Sequence, residues 1–76
     1  GLYLRFESEQ DPHYQKAMRY VAVFDGGATE LYLNFRDTGK LLRAPAKYRV
    51  DINRPLLRAL EALLGKENVA YFGPKQ

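Results

Sequence analysis

The sequence predicts an α+β fold: a two-layer sandwich of β-α-β-β-α-β order, with a mixed four-stranded sheet and two helices on one face. Three observations predict it. The segments LYLRFE and TELYLNFR alternate apolar and polar residues with period two, as half-buried strands do. Two further segments, opened by Asp11-Pro12 and by Asn53-Arg54-Pro55, carry apolar residues at steps of three and four behind a capping side chain, as amphipathic helices do. Between the second strand and the next apolar segment, Asp37-Thr38-Gly39 is a tight-turn signal, so the chain is expected to return as a hairpin.

Leu2 to Glu7 sets Leu2, Leu4 and Phe6 on one face and Tyr3, Arg5 and Glu7 on the other. After the polar connector Ser8-Glu9-Gln10, Asp11 supplies an N-cap carboxylate and Pro12 suits the first helical position, where no N–H is needed. Tyr14, Ala17, Met18, Val21 and Phe24 line the buried face of the first helix, which Asp25-Gly26-Gly27 is expected to end. Tyr20 and Val23 fall off that stripe, beside Lys16 and Arg19; they either border the core or form a contact surface.

Thr29 to Arg36 reads as the second strand, with Leu31, Leu33 and Phe35 inward and Glu30, Tyr32, Asn34 and Arg36 outward. The third apolar segment, Lys40 to Val50, is interrupted by Pro45, which cannot donate a ladder bond and so marks a bulge, an edge or the end of pairing. Tyr48, Val50 and Ile52 alternate again into the second helix. There Leu56, Leu57, Leu60, Leu63 and Leu64 form the stripe, Arg58 and Glu61 point away, Asp51 or Asn53 caps the start, and Gly65 stops it. Asn68 to Phe72 is the last strand, with Val69 and Tyr71 continuing the core. Right-handed crossovers predict the first and third strands as the central parallel pair.

A chain of 76 residues holds one domain, read as residues 1–72 with a flexible tail at 73–76. Its core is thin, since a domain this small buries only about 60% of its unfolded surface. Opening directly in a strand, with Gly1, the chain reads as a fragment of a longer protein. It has no cysteine, which removes disulfides, thiol nucleophiles and cysteine zinc sites and suits a reducing compartment. No apolar run approaches the ~18 residues of a membrane span. LYLRF is not the continuous apolar stretch of a signal peptide.

The net charge of +3 is modest but uneven. Arg36, Lys40, Arg43, Lys47, Arg49, Arg54 and Arg58 lie together against only Asp37 and Asp51. Such a stretch either faces phosphate or is a solvated surface. No constellation carries catalytic chemistry. Asp11, Asp25, Asp37 and Asp51 fall at expected caps and turns, where aspartate bonds its own backbone. His13 is the only histidine and has no second ligand for a metal, Ser8 has no base, and Gly26-Gly27 does not open a helix as a phosphate loop does. The fragment reads as non-catalytic, with no cofactor or metal.

The expected open sheet face carries Tyr3, Arg5, Tyr32, Asn34 and Arg36, with Arg43 or Leu41 according to register. RNA-recognition domains stack bases on such a face, but KLLRAPAKYRV lacks the glycine-aromatic pattern of their third strand. Docking against a neighbouring domain or protein suits the face as well. From expected exposure, the candidate interaction residues are Tyr3, Arg5, Tyr20, Val23, Tyr32, Arg36, Arg43, Arg58 and Phe72.

Val50 followed by Leu56-Leu57, Leu60, Leu63-Leu64-Gly65 and Val69, with LYLRF at the start, a helix ending in FDGG, the ELYL strand and basic KLLRAP before YRV, forms one skeleton. This skeleton resembles the C-terminal domain of the alpha subunit of bacterial DNA polymerase III. The similarity spans most of the chain and lies in hydrophobic spacing rather than in a rare signature. The resemblance implies that the parent chain is a DNA-directed DNA polymerase whose catalytic carboxylates, clamp-binding motif and single-strand-binding domain lie upstream. It implies that this domain contributes attachment, to the tau subunit of the clamp loader in the cytoplasmic replisome, with upstream domains of its own chain as further partners. DNA contact is then made by the parent chain. The residues alone leave a second reading: a small nucleic-acid-binding domain using Tyr3, Tyr32 and the basic stretch.

Overall fold

Two five-residue strands of nearly the same sequence, LYLRF in β1 (Leu2–Phe6) and LYLNF in β3 (Leu31–Phe35), lie side by side and parallel at the centre of the sheet. Their register sets like against like: Leu2 beside Leu31, Tyr3 beside Tyr32, Leu4 beside Leu33 and Phe6 beside Phe35. All six leucines and phenylalanines of the two strands are buried on one face. The computed structural model describes residues 1–72; the tail read at 73–76 lies outside the described residues.

The remaining elements are α1 (Pro12–Val23), β2 (Asp25–Thr29), β4 (Lys40–Arg43), α2 (Arg54–Leu64) and β5 (Val69–Tyr71), with short 3-10 turns at Ala46–Tyr48 and Lys66–Asn68. The sheet is mixed and four-stranded, in the order β4-β3-β1-β5, with β4 and β5 antiparallel to their neighbours. The α+β class and the hairpin therefore hold, but the Lys40 to Val50 segment, expected as the central parallel partner of the first strand, is not that partner; the Leu31–Phe35 strand takes the place. The reason is local: a four-residue turn returns β4 directly onto β3 and keeps it at the edge, while α1 supplies the crossover that parallel β1 and β3 require.

Both helices close the same core. Asp11 caps α1 by accepting from the His13 N–H at 2.9 Å, and Ala17 and Val21 are buried beneath it. Asn53, rather than Asp51, caps α2, accepting from the Leu56 N–H at 2.9 Å. Leu56, Leu60 and Leu64 are buried, and Leu57 and Leu63 pack at the margin. Gly65 ends the helix in a left-handed conformation, φ 90°. Tyr71, opposite Leu2 on the core side, remains 39% exposed at the sheet edge, so the core ends at Val69.

The glycine pair does more than stop a helix. α1 ends at Val23, and Asp25–Thr29 runs on as the extended β2, curving around Val50 through bridges from Asp25 and Thr29. Asp51 N–H closes the arrangement on Phe24 O at 2.7 Å. A Cβ on Gly27 would strike the main-chain carbonyl of Val50, so this close approach requires glycine. The alternation expected through Tyr48, Val50 and Ile52 is accordingly not a strand: Tyr48 ends a 3-10 turn, and Val50 is held by isolated bridges.

Two substitutions test this packing by thermal or urea melts. Leu60→Ala should cost about 2–5 kcal/mol, because the side chain is fully buried in a small core. Gly27→Ala should cost at least about 2 kcal/mol through displacement of the Val50 backbone. A Gly27→Ala protein as stable as the parent would contradict the bridge.

Candidate functional site

With the leucines and phenylalanines turned inward, the intervening residues of the sheet form its open face. Two cross-strand rows result. One runs Ala70, Tyr3, Tyr32, Arg43; the other runs Arg5, Asn34, Leu41, with Asn68 bonded to Arg5 at its outer end. Arg43 and Leu41 thus both belong to the face.

The aromatic residues form a continuous row. Tyr3 and Tyr32 stack with centroids 4.6 Å apart and planes 10° from parallel, which places a ring on each strand facing its neighbour. Phe72 meets Tyr3 at 5.6 Å and 78° from the β5 side. Tyr3 therefore lies between two rings. Gly1 and Phe72 exchange main-chain hydrogen bonds at 2.8 and 3.0 Å, which holds Phe72 in place.

The charged groups of this face are tied to neighbours. Arg5 donates from Nε to Asn68 Oδ1 at 2.8 Å and from Nη2 to the Glu67 carbonyl at 2.9 Å, while Asn68 donates to the Leu64 carbonyl at 2.6 Å. Arg5, expected as a contact residue, is thus half-buried and fastens β1 to the 3-10 turn that follows α2. Arg36 pairs with Glu7 at 3.1 Å, an exposed pair of small energetic weight.

Glu30 is the anchor that sequence reading did not single out. It accepts from the Tyr32 hydroxyl at 2.8 Å and lies 3.9 Å from Arg43 and 3.7 Å from Arg49. Its carboxyl is held below the ordinary range, first by the Tyr32 hydrogen bond and then by the two arginine charges, and the same bond raises the Tyr32 phenol. The Glu30-x-Tyr32 spacing on one strand face was the available signal; the approach of Arg43 and Arg49 depends on tertiary packing.

The other candidates lie elsewhere. Tyr20 packs at the margin of the core, so it borders the core. Val23, 74% exposed at the end of α1, and exposed Arg58 belong to the helical layer, away from the open sheet face. The nine candidates therefore do not form one surface: Tyr3, Tyr32, Arg43 and Phe72 come together, with Arg5 and Arg36 at their margin. Among the described residues, no three His, Asp or Glu side chains converge as a metal site requires, and no helix is long and apolar enough to cross a membrane. Comparison with protein-family models, curated proteins and solved structures finds no match to this chain.

The titration of Glu30 has a sign that can be tested. The folded state holds its proton less tightly than the unfolded chain, so its contribution is full above the ordinary carboxylate range and is lost as pH falls through the depressed value. Asp11, lowered chiefly by the His13 N–H, acts in the same direction. Stability should decline on acidification below about pH 4.3. Glu30→Gln should flatten part of that decline, and superimposable acid melts would contradict the assignment.

Proposed function

We propose that this domain is a non-catalytic protein-interaction module, the C-terminal part of a bacterial replicative DNA polymerase alpha subunit, which attaches the polymerase to the tau subunit of the clamp loader. The observation that carries the interaction reading is the row Phe72–Tyr3–Tyr32 on the open sheet face. Tyrosine, phenylalanine and arginine are among the residues enriched in protein interfaces, where the aromatic rings supply much contact area for little lost freedom. The partner's identity comes from the resemblance of the Val50-to-Val69 skeleton, with LYLRF and ELYL upstream of it, and with it come the parent polymerase activity and the cytoplasmic replisome. Upstream domains of the same chain are the alternative occupants of this face.

The nucleic-acid reading is less well supported by the same geometry. Base stacking needs ring faces that are free. Here Tyr3 and Tyr32 face each other, and Phe72 packs on Tyr3 from the far side. Arg5 is committed to Asn68 and Glu67, and Glu30 offsets Arg43 and Arg49.

Titration of the chain with tau and, separately, with a single-stranded oligonucleotide at two salt concentrations tests the proposal. Tau should bind, and Tyr32→Ala should weaken it by about tenfold or more, as truncation of an interface anchor does. Oligonucleotide binding should be weak and vanish with added salt. Salt-tolerant oligonucleotide binding without tau binding would overturn the proposal.

A further inference from the structure

β4 stands at the edge of the sheet, and all four of its residues are exposed. Its hydrogen bonds to β3 alternate along the strand. Ala44 N–H reaches the Leu31 carbonyl at 2.8 Å, and the register places Leu42 and Lys40 opposite Leu33 and Phe35 in the same phase. The N–H and C=O groups of Leu41 and Arg43 consequently point away from the sheet. Such a row of open main-chain donors and acceptors is a template for a further strand.

The side chains select which strand. From Lys40 to Arg49 the chain carries Lys40, Arg43, Lys47 and Arg49 and no acidic residue. Arg43 and Arg49 approach Glu30 at 3.9 and 3.7 Å, longer than the roughly 2.7–2.9 Å of a charge-assisted hydrogen bond, so two guanidiniums share one carboxylate and, with Lys40, the edge keeps a net positive charge for an incoming acid. A recess of about 290 Å³ lies here, lined by Arg43, Arg49 and Glu30 together with Ala44, Pro45 and Ala46. Leu41 and Leu42, 55% and 42% exposed, project to opposite faces of the sheet and offer apolar contact on both sides of an added strand. A second copy of the chain fits poorly, because pairing two β4 edges brings the basic stretch Lys40, Arg43, Lys47 and Arg49 of one chain beside the same stretch of the other.

We propose that the outer edge of β4 takes up an extended acidic segment of another protein as a fifth strand, with Lys40, Arg43 and Arg49 holding its carboxylates and Leu41 and Leu42 packing its apolar side chains. The inference rests on the attachment reading only in taking tau as the source of that segment.

The probe is a blocked synthetic peptide of about nine residues, alternating glutamate with valine and threonine, set against its lysine counterpart, with amide hydrogen exchange as the readout. The acidic peptide should slow exchange at Leu41 and Arg43 by about tenfold or more at saturation, and the lysine peptide should not. Leu41→Pro removes one outward N–H without touching the β3 ladder, and should abolish the protection. Should that variant fail to fold, the double change Lys40→Glu and Arg43→Glu serves instead, and should reverse the preference to the lysine peptide. Absence of protection by saturating acidic peptide, or protection that appears without peptide as the chain is concentrated into dimers, would overturn the proposal. So would protection of this edge by an oligonucleotide in place of the acidic peptide. With tau, equal binding by the parent chain and Leu41→Pro would overturn the edge assignment and leave attachment standing. Tau binding to neither, with the peptide still protecting Leu41 and Arg43, would remove tau and uphold the edge.

Discussion

The structure depends on the in-register parallel pairing of β1 with β3. Once Leu2 lies beside Leu31 and Phe6 beside Phe35, both strands turn the same residue types to the same side. That single register creates an apolar slab of leucine and phenylalanine on one face and an aromatic and polar strip on the other. A slip of one residue would exchange the two faces throughout. Parallel neighbours cannot be joined by a short turn, so the chain between them must cross the sheet, and α1 occupies that crossing. α2 then fills what α1 leaves uncovered and brings β5 back to the other flank of β1.

The same pairing organises the open face. Tyr3 and Tyr32 stack because the register makes them neighbours, and Phe72 joins them because β5 is placed next to β1. Arg5 belongs to the architecture more than to the surface. By binding Asn68 and the Glu67 carbonyl, it joins the central strand to the turn that follows α2. Asn68 in turn satisfies the Leu64 carbonyl, one of the acceptors that a helix end leaves open. A short polar chain thus links the centre of the sheet to the helical layer without entering the core.

Much of this was legible in the sequence where local chemistry decides the outcome. The alternation in LYLRF, the caps at Asp11 and Asn53, the stop at Gly65, the hairpin turn and the stripe on α2 all correspond to observed features. Three features were not. β2 was missed because DGGAT has the composition of a turn, and only the approach of Val50 to Gly27 draws it out as a strand. The central pair was misplaced because crossover reasoning does not specify which parallel strand lies adjacent, although the repeated LYL-x-F pattern held the clue to register. Glu30 went unnoticed because Arg43 and Arg49 lie far along the chain and reach it only after β4 folds back. Exposure on the open face was partly legible, since alternation assigns a side; whether an exposed arginine is already engaged depends on partners that periodicity does not contain.

The Tyr3–Tyr32 stack also gives the molecule an optical signature. The chain has no tryptophan, so tyrosine dominates its near-ultraviolet properties. Two phenol rings held 4.6 Å apart and nearly parallel couple their transitions, and the fixed handedness of their surroundings makes that coupling circularly dichroic. The remaining tyrosines form no such stack with one another among the described ring contacts. The open face therefore carries its own chromophore pair at the centre of the sheet, where any occupant that parts or tilts the rings alters the spectrum without an attached label.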